Sequence, residues 1–64
     1  MKGIVKFFNN MKNYGFIQGE DGEDYFVHSS AVEDGVTLED NDPVIFDGEK
    51  GDRGLKAENV RLDG

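Results

Sequence analysis

Cysteine and tryptophan are absent from this 64-residue chain, and proline occurs once. Without cysteine there is no disulfide framework, no thiolate nucleophile and no thiolate zinc site. Apolar residues never run long enough to span a bilayer, and no signal-peptide pattern stands at the start, so we expect a soluble cytoplasmic protein that contacts no membrane. We expect residues 1–64 to form one domain, near the lower size limit for folding without a disulfide or a metal.

Basic residues are also scarce, since seven Lys and Arg stand against fourteen Asp and Glu, for a net charge of -7. Taken as an average, this charge disfavours nucleic acid as a partner. The charges are segregated, however: residues 1–17 carry three lysines and no acid, whereas residues 18–49 carry eleven acids and no base. The net charge therefore does not decide the partner, although solvation of loops is the simplest role for the acids.

Short apolar runs alternate with turn signals at the spacing of a small all-β barrel or sandwich. The pattern predicts strands over residues 3–8, 13–18, 24–28, 43–47 and 55–62, with a loop punctuated by Gly48, Gly51 and Gly54 before the last strand. Residues 29–32 suit a single helical turn capped by serine. Because a flat five-stranded sheet would leave exposed edges, we expect a closed or nearly closed antiparallel barrel.

The second and third strands are apolar on both faces. Ile17, Tyr25 and Val27 suit the core, yet the opposite face presents rings as well, among Asp24, His28 and the neighbouring Lys12. Burial of both faces is one interpretation, but a chain without helices has nothing to cover the second face. An exposed face that mixes rings with polar groups indicates a binding surface for unpaired bases, with carbohydrate or peptide as alternatives; its rings are Tyr14, Phe16 and Phe26.

Three segments, residues 3–9 (GIVKFFN), 12–17 (KNYGFI) and 24–28 (DYFVH), resemble the cold-shock domain, and the later two resemble its paired RNA-binding motifs. Residues 30–32 (SAV) and 54–60 (GLKAENV) also follow the family pattern, so the resemblance spans essentially the whole chain. It implies a five-stranded OB-fold barrel that binds single-stranded RNA or DNA, typically as a nucleic-acid chaperone of the stress response.

The resemblance also implies a set of nucleic-acid-binding positions. Phe7 stands where the family usually has Trp, while Val5 and Phe8 belong to the core side unless a bulge re-aims Phe8. Tyr14 is among the positions that stack on bases, and Lys6 is among those that make polar contacts. The full set of implied binding residues is Lys6, Phe7, Lys12, Tyr14, Phe16, Asp24, Phe26, His28 and Arg53.

Four further positions depart from the family pattern. Asn13 replaces a glycine, and we expect the turn to survive because Asn tolerates left-handed backbone. Ser29 replaces an aromatic, Val36 lies in a shortened loop near a common Phe position, and Leu55 replaces a frequent proline. These departures predict binding that is retained but weaker, or that extends over fewer bases.

Other functional classes fit the sequence poorly. One His, no Cys and no Ser-His-Asp constellation give no candidate catalytic residue, and the acids lack the order of an EF-hand, so we expect no enzyme, no metal site and no cofactor. The three late glycines do not fit a P-loop. The remaining alternative is an acidic small-barrel module that binds a basic protein. We expect a monomer in either case.

Overall fold

Five β-strands and one 3₁₀ turn are seen in the computed structural model, which describes residues 1–52 and 54–63. The strands close into a barrel in the order β1-β2-β3-β5-β4, which confirms the predicted all-β OB-type barrel. None of the described helical segments is long and apolar enough to cross a membrane. The elements are β1 (Lys2–Asn9), β2 (Tyr14–Gly19), β3 (Asp24–His28), the 3₁₀ turn (Ser29–Ala31), β4 (Pro43–Gly51) and β5 (Gly54–Leu62).

The barrel closes through a parallel pairing, which corrects the expectation of a wholly antiparallel sheet. β3 meets β5 in parallel at Phe26 and Lys56, and an isolated parallel bridge joins Val32 to Val60. The other neighbouring strands pair antiparallel. Strand directions cannot alternate all the way round a ring with an odd number of strands, so a closed five-stranded barrel must contain a parallel pair.

Alternation along the strands fills the core. In β3, Tyr25 and Val27 are buried, whereas Asp24, Phe26 and His28 are exposed, as the sequence predicts. Each fully buried aliphatic or aromatic side chain contributes about 1.5–3 kcal/mol, and this small barrel depends on that sum. The buried residues are Val5, Ile17, Tyr25, Val27, Leu38, Val44, Phe46, Ala57 and Val60.

The predicted loop over residues 48–54 is wrong, because β4 continues as a strand to Gly51 and pairs with β5 up to the Gly51–Gly54 pair. Gly48 faces the ring of Tyr25, and a Cβ atom added there would lie 2.7 Å from Tyr25 Cε2. That glycine therefore permits close packing of strand against ring rather than marking a loop.

A hydrogen bond secures the β2–β3 hairpin on the side of that ring. The Tyr25 hydroxyl donates to Asp21 Oδ2 at 2.6 Å, and the Glu23 amide donates to Asp21 Oδ1 at 3.0 Å. The bond to the Asp21 carboxylate, together with burial, raises the pKa of Tyr25 to about 12. The pKa of Asp21 is lowered below its ordinary value, mainly by the hydrogen bond from the Tyr25 hydroxyl and to a smaller extent by the one from the Glu23 amide.

Candidate nucleic-acid interface

A β-bulge in β1 determines which side chains reach the outer face. Val5 pairs with Ile17, but the next pair on β2 is Phe7 with Phe16, so Lys6 is the extra residue. The bulge lets Lys6 and Phe7 point outward in succession and returns Phe8 to the core side, where it is partly buried. Val5 and Phe8 therefore lie on the core side, as predicted, and the bulge does not turn Phe8 outward.

Four rings on the outer face of β1, β2 and β3 form one continuous cluster, which we call the ring cluster: Phe7, Tyr14, Phe16 and Phe26. Neighbouring centroids are 5.8–6.2 Å apart, and Tyr14 stacks on Phe26 with an interplanar angle of 22°. Phe7 is 41% exposed and Phe26 is 39% exposed, so the outer face is not covered. The interpretation that both sheet faces are buried is therefore wrong.

An exposed ion pair joins β1 to β3. Lys6 Nζ reaches across β2 to Asp24, at 3.4 Å from Oδ1 and 3.3 Å from Oδ2, with both side chains about half exposed (48% and 52%). Lys6 is the one basic residue of the predicted site on β1, and Asp24 is the one acidic residue of that site on β3. The two charges thus neutralise each other. Lys12 is exposed in the β1–β2 connection, near the end of β2 that bears Tyr14.

His28 stands beside Tyr14, its register partner on β2. Its Nδ1 atom accepts a hydrogen bond from the Ser30 amide at 3.1 Å and caps the 3₁₀ turn, so the predicted serine cap is wrong. Because an amide can only donate, Nδ1 is the acceptor and the neutral ring carries its proton on Nε2. The exposed imidazole therefore presents an N–H donor, which suits a base carbonyl or a phosphate oxygen.

A groove of about 660 Å³ continues the ring cluster toward β5. The predicted set of binding residues leaves out Leu55 and Lys56, although both line this groove. Lys56 is the parallel partner of Phe26, and no local sequence pattern reveals that long-range pairing. Arg53, the last of the predicted site residues, lies outside the described residues. The groove is lined by Phe16, Asp24, Phe26, Gly51, Asp52, Gly54, Leu55 and Lys56.

The departures from the family pattern have clear structural outcomes. Asn13 has φ 61°, which confirms that Asn accepts the left-handed turn conformation. Ser29, which replaces the aromatic of the family pattern, lines a depression of about 200 Å³ together with Phe8. Val36 packs partly buried against the core, and Leu55 does the same. Neither Ser29 nor Val36 adds a ring to the ring cluster.

The sequence matches the family model of the 'Cold-shock' DNA-binding domain over residues 1–62. It is 58% identical to Cold shock protein 1 of Lactiplantibacillus plantarum over 60 residues, which cover 91% of each chain. It is 48% identical to Cold shock protein CspC of Bacillus subtilis over 62 residues, 94% of each chain. The chain belongs to the cold-shock DNA-binding domain family.

Membership in the cold-shock family places the chain in a nucleic-acid-binding class. A nucleic-acid-binding family supports the expectation that the chain is not an enzyme, and it favours nucleic acid over carbohydrate or peptide as the ligand. The two segments that resemble RNA-binding motifs supply Tyr14, Phe16 and Phe26 of the ring cluster, and Phe16 and Phe26 also line the groove.

Proposed function

We propose that the chain binds single-stranded RNA or DNA by stacking bases on the ring cluster, and that it acts as a nucleic-acid chaperone with low sequence specificity. The observation that carries the proposal is the continuous cluster of four rings on the outer face, in which Phe7 and Phe26 are exposed and Tyr14 and Phe16 are half-buried. Aromatic stacking contributes about 1–3 kcal/mol per base and depends little on base identity.

Polar groups around the rings supply a smaller share of the affinity. Lys12 contacts phosphates at one end, and Lys56 contacts them near the groove. Arg53 is a further phosphate contact that the family resemblance implies. Lys6 and Asp24 present a donor and an acceptor side by side, which suits the edge of a stacked base. His28 adds the Nε2–H donor beside Tyr14. The protein works as a monomer in the cytoplasm, with residues 1–64 as its one domain.

Low specificity and modest affinity suit a chaperone, because the strand is held unpaired and released easily. The expected bound length is short, since Ser29 and Val36 replace two of the rings that the resemblance implies. The net charge of -7 reduces the rate of encounter with a polyanion, and stacking rather than charge holds the complex together.

The test is a fluorescence-anisotropy titration of labelled oligouridine, oligothymidine and a duplex of the same length at low salt. We expect saturable binding of the single strands below about 100 μM and much weaker binding of the duplex. Intrinsic fluorescence should report through Tyr14, because Tyr25 is buried and bonded to Asp21. Binding of a basic peptide with no binding of either oligonucleotide would overturn the proposal in favour of the acidic interaction module.

A second assay tests the chaperone activity itself. A nucleic-acid hairpin labelled at both ends should open at a lower temperature when the protein is present at saturating concentration. A Phe26→Ala variant should lose this effect in proportion to its loss of affinity. Stabilisation of the hairpin by the wild-type protein would contradict a chaperone role.

A further inference from the structure

Met11 is the most exposed large apolar residue in the described part of the chain. Its side chain is 94% exposed, whereas the next such residue, Ile4, is 46% exposed. It lies between Asn10 and Lys12 in the connection that follows the Asn9–Tyr14 pair. A thioether exposed to water buries no apolar surface and does not stabilise the core, so packing does not explain the position of Met11.

Hydrogen bonds fix the backbone of this connection. Asn9 Oδ1 accepts from the Met11 amide at 2.9 Å and from the Lys12 amide at 3.1 Å. The Asn13 amide donates to the Asn9 carbonyl at 2.8 Å, and the Ser29 amide donates to the Asn13 carbonyl at 2.9 Å. The connection is thus tied both to β1 and to the 3₁₀ turn, and Met11 is held outward.

Met11 lies at the end of the proposed binding site. It precedes Lys12, a proposed phosphate contact, and it is three residues from Tyr14, which places their Cα atoms at most about 11 Å apart. Methionine is flexible and polarisable, packs favourably against π-systems, and is common on binding surfaces that accept varied partners. A strand that leaves the ring cluster past Tyr14 toward Lys12 passes within reach of this side chain.

The composition makes Met11 chemically distinctive as well. The chain has no cysteine, no tryptophan and only two methionines. The second, Met1, is 39% exposed, and its terminal ammonium donates to the Phe46 carbonyl at 2.7 Å. With no thiol to react first, an exposed thioether is the most accessible target for a peroxide.

We propose that Met11 is a further nucleic-acid contact and an oxidation site that weakens this contact. The contact rests on the proposed function, whereas the oxidation does not. The Met11 sulfur attacks one oxygen of hydrogen peroxide, the O–O bond breaks, an S–O bond forms, and the remaining oxygen leaves as water after proton transfer. The sulfur is oxidised to a sulfoxide and the peroxide is reduced. The polar sulfoxide then packs poorly on a base.

The test combines peroxide treatment with peptide mapping, with and without saturating oligouridine. Trypsin cleaves after Lys6 and Lys12, so residues 7–12 report Met11 separately from Met1. We expect Met11 to gain oxygen several-fold faster than Met1, and bound oligouridine to slow the oxidation of Met11 without slowing that of Met1. The oxidised protein should bind oligouridine about two- to tenfold more weakly.

Two variants provide matched controls. Met11→Leu removes the thioether that peroxide oxidises, so peroxide treatment should leave the affinity of this variant at its own untreated value. Met1→Leu should remain sensitive. Equal oxidation of Met11 with and without oligouridine, while anisotropy shows the strand bound, would overturn the contact. Slower oxidation of Met11 than of Met1 would overturn the oxidation site. Absence of any binding by the unoxidised protein would instead overturn the proposed function, and the contact with it.

Discussion

Lys6 Nζ lies 3.3 Å from Asp24 Oδ2, and this exposed ion pair joins β1 to β3 across β2. An exposed pair of this kind stabilises the fold by only about 0–1 kcal/mol. We expect its larger effect to be on binding, because the pair neutralises Lys6, the one basic residue of β1 in the proposed binding site.

Removing the carboxylate should therefore change the salt dependence of binding. In Asp24→Asn, Lys6 is free to neutralise one phosphate, so the slope of log K against log salt should become steeper by about 0.7. The slope is the decisive quantity, because Asp24 is itself a proposed base contact and its loss could change the affinity without any change in charge pairing. An unchanged slope, measured by anisotropy at several salt concentrations, would contradict the role of the pair.

Truncation of a ring should cost more affinity than removal of a charge. Phe16→Ala and Phe26→Ala should each weaken oligouridine binding by about 1–3 kcal/mol, whereas Lys12→Ala should cost less. Leu62→Ala is a matched control, because Leu62 is 45% exposed and lies at the far end of β5. Circular dichroism checks that each variant is folded. A greater loss for Lys12→Ala than for the ring variants would mean that charge supplies most of the affinity.

Alternation along β3 and the turn signals around it were sufficient to predict the barrel and three of its four clustered rings from residue patterns. The fourth ring, Phe7, came from the family resemblance, because strict alternation from buried Val5 would turn Phe7 inward. The bulge at Lys6 reverses that, and bulges carry no reliable local signal.

The groove could not be predicted from the sequence, for a different reason. Lys56 reaches the site through the parallel pairing of β5 with β3, which joins residues 30 positions apart in the chain. The glycines of β4 were wrongly assigned to a loop, because glycine is common in loops and also occurs in strands where a ring packs closely on the backbone. Only the position of Tyr25 distinguishes the two.

Gly48 provides a direct test of that packing. Gly48→Ala places a Cβ 2.7 Å from the Tyr25 ring and should destabilise the fold by about 1–3 kcal/mol. Gly51→Ala is the matched control in the same strand, because its nearest contact would be an ordinary 3.4 Å. Urea denaturation measures both. Equal midpoints for the two variants would indicate that the ring can move aside.

The Tyr25–Asp21 hydrogen bond predicts a stability profile with two pH arms. The pKa of Tyr25 is raised to about 12, so its contribution is complete below the unfolded value near 10 and is lost as pH rises toward 12. The pKa of Asp21 is lowered, so its contribution is present above its unfolded pKa and is lost as pH falls through the folded one. Tyr25→Phe should flatten the alkaline arm and weaken the acidic arm, as measured by urea midpoints. Two profiles of the same shape would contradict this assignment.

We propose that stacking, not charge, holds the strand, and the most direct test is the affinity of the wild-type protein for oligouridine across salt concentrations. With Lys6 paired, we predict a shallow slope of about -2 and binding that persists at high salt. A slope steeper than about -4, or no saturable binding below about 100 μM at low salt, would contradict the account.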